Sequence, residues 1–282
     1  MKLIETRNLS YSYDQEHLAL NQVNISIEKG KVTAILGGNG AGKSTLFLNL
    51  NGVLTPSEGE VYFDGKLVTY NKKNIMELRK RVGIVFQDPN DQLFSADVLS
   101  DISFGPMNLG LSKEETKKIV DDVIMKTGIQ EYVNKPTHAL SFGQKKRVAI
   151  AGVLAMKPDI IILDEPTAGL DPSGVSDILK LLTDLQSQNN LTIIISTHDI
   201  DIVPLYCDYA YVLDHGKVVL SDTSEELFTK ADELRSYSLR LPRIAHLMEI
   251  LKKEDHMNTD ERASTISKAR KNIRELLQSE QK

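Results

Sequence analysis

Nine consecutive residues constrain this chain more than any other segment. Gly37-Gly38-Asn39-Gly40-Ala41-Gly42-Lys43-Ser44-Thr45 follows the spacing G-x-x-x-x-G-K-[ST], with Gly37, Gly42, Lys43 and Ser44 in the fixed places. Glycines in such a loop let main-chain N–H groups turn inward around phosphate oxygens. Lys43 is expected to reach the β- and γ-phosphates of a nucleoside triphosphate as a point charge, and the Ser44 hydroxyl to ligate Mg²⁺. The flanks agree. Val32-Thr33-Ala34-Ile35-Leu36 is a short β-branched apolar run that reads as a strand, and Thr45 to Leu50 reads as a helix. Strand, loop, helix is the order that sets phosphate on a helix N-terminus.

The rest of the chain must build a sheet around that loop. With 282 residues, 41% of them hydrophobic, it can bury a sizeable core. Leu3 to Arg7 and Val23 to Ile27 alternate with period two, and Gly59 to Gly65 is a further strand closed by Asp64-Gly65. Ile84-Val85-Phe86 reads as a buried strand ending at Gln87. Ile160 to Leu163 and Leu191 to Ser196 are too apolar to face water on either side, as in a parallel sheet. From Asp88 to about Met156 the character is helical. Ser112-Lys113-Glu114-Glu115 forms a capping box, and Ile119, Val120, Val123 and Ile124 make one face that Gly128 ends. Asp171-Pro172 starts another helix, carried on by Val175, Ile178, Leu179, Leu182 and Leu185. The expected class is α/β, with an antiparallel β subdomain, a helical insertion over about 88–157 and strands that stop beyond about Ser221. Residues 1–222 form one domain and 223–282 a helical extension. In that extension Ile244, Leu247, Met248 and Leu251 make one apolar stripe, and Ile266, Ala269, Ile273, Leu276 and Leu277 a second, across a polar linker. Neither stripe can be buried alone, so they pack on each other, on the core or on a second subunit.

A net charge of −5 does not favour a broad nucleic-acid surface. Cys207, the single cysteine, excludes an intramolecular disulfide, fits a reducing compartment and reads as structural. No charged-then-apolar leader opens the chain. The longest apolar stretch, Val148 to Met156, is far short of the roughly 20 residues that span a bilayer, so a membrane role is expected to be peripheral.

Asp164-Glu165 directly follows the strand Ile160 to Leu163. A carboxylate at that strand end, beside a phosphate loop, is where Mg²⁺ has to be held, and Asp164 suits that role through a metal-bound water. Glu165 is placed to polarise an attacking water as general base. Gln87, also at a strand end, offers a neutral amide that can ligate Mg²⁺, position water or sense a γ-phosphate. His198 follows the strand Leu191 to Ser196 and could donate to the γ-phosphate.

Together these motifs resemble those of the ATPase subunits of ABC (ATP-binding cassette) transporters, and the match covers residues 1 to about 222. Leu140-Ser141-Phe142-Gly143-Gln144 resembles the family's LSGGQ signature, Ala168-Gly169-Leu170-Asp171 its D-loop, Gln87 its Q-loop and His198 its switch histidine. Tyr13 resembles the aromatic that stacks on adenine, with Tyr11 the weaker choice. One departure is visible: Phe142 stands where the first signature glycine is usual, with an expected effect on packing at a dimer interface. The resemblance implies two cassettes sandwiching two ATPs with Mg²⁺. Each nucleotide would lie between Gly37 to Thr45 of one subunit and Ser141 to Gln144 of the other, with Ser141, Gly143, Gln144 and the D-loop Asp171 counted among the nucleotide-binding residues.

Within that family, Gln87-Asp88-Pro89-Asn90-Asp91-Gln92-Leu93-Phe94, with its second glutamine, and Ser103-Phe104-Gly105-Pro106 resemble cassettes of energy-coupling factor importers. Leu239-Arg240-Leu241-Pro242-Arg243-Ile244 resembles the cobalt-importing members. The implied setting is the cytoplasmic face of the cell membrane, bound through the helical insertion to a transmembrane coupling subunit beside substrate-binding membrane subunits. No His/Cys/Asp cluster has metal-ligand spacing, so solute selection falls to the membrane subunits. A shared ATPase of a vitamin importer, a soluble non-transport ABC ATPase and a non-hydrolysing regulatory subunit are the alternatives. The expected pair is a homodimer, with a heterodimer of related cassettes as the alternative.

Overall fold

The structure, a computed structural model, describes residues 1–279. In chain order it runs β1 (Lys2–Ser12), β2 (Leu18–Val23), β3 (Ser26–Glu28), β4 (Val32–Leu36), α1 (Lys43–Leu50), β5 (Glu58–Phe63), β6 (Lys66–Leu67), α2 (Lys72–Arg81) and β7 (Val82–Val85). The helical insertion holds α3 (Val98–Asn108), α4 (Lys113–Thr127) and α5 (Phe142–Leu154). Then come β8 (Ile160–Leu163), α6 (Pro172–Asn189), β9 (Thr192–Ser196), α7 (Val203–Tyr206), β10 (Tyr209–Asp214) and β11 (Lys217–Thr223). The extension carries α8 (Ser224–Leu227), α9 (Ala231–Ser236), α10 (Arg243–Lys253) and α11 (Ile266–Ser279).

Two sheets organise these elements. The central one has six strands in the order β11-β10-β4-β9-β8-β7, parallel throughout except for the β10–β11 hairpin. The other is antiparallel, ordered β2-β1-β5-β6, with β3 also paired to β1. Every residue of β8 and β9 is buried, as expected of strands covered on both faces. One apolar core fills the space between the two sheets and α1, through Ile4, Leu20, Leu46, Phe47 and Ile162. A second lies on the opposite face of the central sheet, through Leu163, Ile178, Leu182 and Ile195. A third belongs to the insertion, through Ile102, Val120, Ile124 and Val148.

Several expected boundaries shift. The run Val23 to Ile27 is not one strand: β2 ends at Val23, opposite Leu9 of β1, and β3 begins at Ser26, opposite Glu5 of the same strand. The strand before Gln87 runs from Val82 to Val85, because Phe86 turns out of the sheet and stays partly exposed. β11 continues to Thr223, held by its hairpin with β10. Helix α2 has too few apolar residues to be read from periodicity; Asn71 caps it, accepting from Asn74 N, and Leu78 is its buried anchor. The capping box at Ser112 and the left-handed Gly128 bound α4 as expected. Cys207 is buried, and burial pushes its thiol well above the usual range, consistent with a structural residue.

The two stripes of the extension find partners on each other and on the core. Met248, Ala263 and Ala269 form a small cluster joined by Ile244, Leu251 and Ile273, while Leu241 and Ala245 enter the main core. Leu247, Ile266 and Leu277 remain exposed. An ionic anchor adds to this. Glu249 of α10 is buried and accepts from Arg235 Nη1 and Lys253 Nζ, both at 2.9 Å, with His246 Nδ1 at 3.2 Å. Arg235 above all, then Lys253 and His246, hold its carboxyl down at about 2 against an ordinary 4.5, although burial acts in the opposite sense. A carboxylate depressed by folding stabilises fully above its unfolded value and loses that contribution as pH falls through its folded one. Glu249→Gln is therefore expected to cost on the order of 2 kcal/mol in urea unfolding at pH 7. The gap to the parent should shrink as pH falls from about 4.5 toward 2. An equal gap at every pH would rule the ion-pair account out.

Candidate active site

The site lies at the C-terminal ends of four adjacent strands. Register pairs Ile35 of β4 with Ser196 of β9, Leu163 of β8 with Ile195 of β9, and Val85 of β7 with Leu163. Whatever follows each strand therefore emerges along one edge, where ligands of open α/β sheets sit. The glycine loop follows β4, Asp164-Glu165 follows β8, His198 follows β9 and Gln87 follows β7. Residues far apart in sequence thus line one cleft of about 350 Å³: Tyr13, Ala19, Asn39 to Thr45, Gln87, Asp164, Glu165 and His198.

The loop is built as a cradle. Gly42 has φ +103°, and a Cβ there would lie 2.6 Å from the Ala19 carbonyl oxygen; at Gly37 it would lie 2.3 Å from that of Leu213. Both close approaches demand glycine. Gly42 is also the N-cap of α1 and makes no side-chain cap, which leaves first-turn N–H groups available to an anion. Lys43 is buried, and its Nζ donates to the carbonyls of Gly37 (2.9 Å) and Gly38 (3.0 Å). Burial lowers its pKa, while the charges of Glu165 and Asp164 act to raise it.

The acidic pair is held by its neighbours. Ser44 Oγ donates to Asp164 Oδ2 at 2.6 Å, and Ser196 Oγ donates to Asp164 Oδ1 at 2.5 Å. Ser196 Oγ also accepts from the main-chain N–H of Glu165 at 2.9 Å. Glu165 is only 5% exposed. Its Oε2 accepts from His198 N at 3.2 Å, and Oε1 lies 3.1 Å from His198 Nε2. That second approach is not aligned as a hydrogen bond, so Oε1 is a buried oxygen without a hydrogen-bond partner. Such an atom is ready to accept from a water or substrate. A hydroxyl, a carboxylate and the Gln87 amide are hard oxygen donors of the kind that hold Mg²⁺ with phosphate, so the residues present fit Mg²⁺ and a triphosphate.

The structure brings most of the expected residues into this cleft, but not all. Ser141, Gly143, Gln144 and Asp171 do not line it. Ser141 caps α5: Gln144 N donates to Ser141 Oγ (3.3 Å), and Ser141 N donates to Gln144 Oε1 (3.0 Å). The helix therefore starts at Phe142, directly after its N-cap Ser141. Asp171 caps α6, accepting from Gly174 N at 2.7 Å. Tyr13 stands at the rim, 64% exposed; its hydroxyl shares a 3.2 Å hydrogen bond with Thr45 Oγ1, and its ring meets Tyr11 edge-on. Two contributors escaped the sequence reading. Ser196, last residue of an apolar strand, is the bridge between Asp164 and Glu165, and its polarity there was the available signal. Lys146, within a mostly apolar helix segment, donates to the Glu165 carbonyl at 2.7 Å.

A glycine loop opening a helix, a carboxylate pair and a histidine on one parallel-sheet edge have the chemistry of a nucleoside-triphosphate hydrolase. Comparison with known proteins narrows this. The ABC transporter family model matches residues 20–168. Energy-coupling factor transporter ATP-binding protein EcfA2 of Clostridium perfringens is 56% identical over 271 residues, which is 96% of this chain and 95% of that relative. EcfA of Methanococcus maripaludis is 52% identical over 280 residues, 99% of this chain and all of the relative. Among solved structures, cbiO1 of Clostridium perfringens, described as part of the ABC transporter complex cbiONQ, is 56% identical. It superposes with a TM-score of 0.77 over 88% of this chain and 99% of its own. The chain belongs to the ABC transporter family, and it is an ATPase.

Proposed function

We propose that this chain is the ATP-hydrolysing subunit of an energy-coupling factor importer, acting as a pair of cassettes at the cytoplasmic face of the membrane. The observation that carries the coupling role is an apolar face on the helical insertion, close in sequence to Gln87. Phe94 is 65% exposed and Phe104 47%, and their rings meet edge-on with centroids 4.6 Å apart. Leu99 and Met107 of the insertion, and Phe86 just before it, are exposed as well. An aromatic patch of this kind is a partner site. It is held in place: Asp101 accepts from the main-chain N–H groups of Phe94 and Ser95, and Gln92 Oε1 accepts from Phe86 N at 3.1 Å. Among the described residues no helix is long and apolar enough to cross a membrane, so the partner docking on this face supplies the spans. The names of the relatives support the energy-coupling factor type, and the resemblance of Leu239 to Ile244 supports cobalt import.

In the proposed cycle the loop N–H groups and Lys43 bind the triphosphate, with Tyr13 against adenine. Ser44, Gln87 and Asp164 would hold Mg²⁺, which would neutralise phosphate charge. Glu165 takes the proton of the attacking water, and His198 donates to the γ-phosphate. Ser141, Gly143, Gln144 and Asp171 serve the nucleotide of the opposite cassette, which accounts for their position away from their own cleft. A γ-phosphate held by one cassette is drawn to the N-terminus of α5 in the other, so ATP closes the pair and hydrolysis lets it open.

The test is to tag the chain, extract source membranes in mild detergent and identify what co-purifies by mass spectrometry. Membrane subunits without a second cassette are expected, and the double variant Phe94→Ala/Phe104→Ala should lose them. A second, related cassette would mean a heterodimer and favour a shared vitamin module. Recovery without any membrane protein would sink the importer reading.

A further inference from the structure

Lys146 stands one turn into α5, a helix whose buried residues also include Val148, Ala149 and Ile150. It is 1% exposed. Lysine is almost never buried so completely unless its charge is paired, because removing an ammonium from water costs several kcal/mol. Yet among the described residues no carboxylate lies within ion-pair distance of it. Its Nζ is spent on one main-chain oxygen, that of Glu165. That oxygen also accepts from Ala168 N at 3.1 Å. Glu165 itself has φ +49°, the left-handed region that a residue with a side chain adopts only when its surroundings impose it. Phe142, at the start of the same helix, covers the contact. The Lys146 ammonium lies 5.6 Å from its ring centroid, within cation–π range. The ring in turn rests on Gly169, where a Cβ would come within 2.9 Å of Phe142 Cε1.

We infer that Lys146 is a positioning residue for ATP hydrolysis: from the signature helix it holds the Glu165 peptide in the left-handed conformation that aims the carboxylate into the nucleotide cleft, with Phe142 sealing the contact against Gly169. The inference rests on the proposed role of Glu165 as general base. It also gives Phe142 a function inside its own subunit. In the proposed dimer the Ser141 end of α5 meets the partner's nucleotide, while Lys146 on the same helix grips the base of its own site. The two sites are thereby joined through one rigid element.

The test compares Lys146→Met, Lys146→Arg and Glu165→Gln in the full-length chain. Methionine keeps most of the buried length and removes the donor, whereas arginine keeps a donor. Lys146→Met is expected to bind a fluorescent ATP analogue, and to show a KM, within about twofold of the parent, while kcat falls at least about tenfold. Lys146→Arg should restore part of that loss. A kcat for Lys146→Met within about twofold of the parent, with Glu165→Gln inactive, overturns the inference and leaves the base assignment standing. Turnover by Glu165→Gln near the parental rate overturns both. If Lys146→Met does not fold, Lys146→Leu, likewise without a donor, carries the test. A lowered kcat at unchanged KM and ATP affinity supports the inference, and parental kinetics or a joint loss of binding and turnover overturns it.

Discussion

Glu165→Gln should bind ATP with near-parental affinity and lose at least about 100-fold in kcat, the lower end of what a positioned general base contributes. The amide keeps the shape of the carboxylate but cannot take a proton. The scaffold around it should survive, because the strongest holds on this residue are on its main chain. Ser196 Oγ accepts from its N–H, and Lys146 donates to its carbonyl. Side-chain contacts amount to His198 N on Oε2 and the unaligned approach of His198 Nε2 to Oε1. An amide oxygen can still accept from His198 N. Burial at 5% exposure also keeps bulk water from substituting for the lost base. Phosphate release at saturating MgATP, set beside equilibrium nucleotide binding, checks this. A variant that hydrolyses at close to the parental rate would remove Glu165 from the mechanism.

Lys43→Ala should fail at the earlier step. Its ammonium rests on the carbonyls of Gly37 and Gly38 at the floor of the loop, poised to exchange them for phosphate oxygens. A charge-assisted contact of that kind is worth about 2–3 kcal/mol, so Kd for ATP should rise roughly 30- to 140-fold. The loop itself should hold, since Gly37 and Gly42 fix its path by close main-chain packing against Leu213 and Ala19. Titration with a fluorescent ATP analogue measures the change directly. Unchanged affinity would show that the N–H cradle alone binds the phosphates. The contrast between the two variants, one losing turnover with binding intact and the other losing binding, separates the two halves of the site.

The legible parts of this protein were those in which local chemistry and spacing act over a few residues. The phosphate loop, its flanking strand and helix, and the capping box at Ser112 all follow from short-range rules. The N-cap at Asp171 and the fully buried strands β8 and β9 do so as well. Boundaries were less legible where a neighbour decides them. Phe86 lies outside β7, its N–H taken up by the Gln92 side chain, and Val23 and Ser26 belong to different strands because they pair with separate stretches of β1, at Leu9 and Glu5. Helix α2, mostly charged and polar, is held by an Asn71 cap and one buried leucine, which no periodicity signals.

By itself the sequence determined the chemistry available to this chain: which residues can bind phosphate, ligate Mg²⁺ or accept a proton, and that they follow strand ends. It also determined the family, because those motifs occur in one order. Only the tertiary structure decided which of them share a cleft. Parallel pairing of β4, β9, β8 and β7 brings Lys43, His198, Glu165 and Gln87 together across more than a hundred residues, while α5 and α6 carry Ser141 and Asp171 elsewhere. It alone decided that Ser196 bridges the acidic pair and that Lys146 spends a buried charge on one carbonyl. The physical reason is that a hydrogen bond or a desolvated charge depends on distances of about 3 Å, and strand order and helix packing, not spacing along the chain, set those distances.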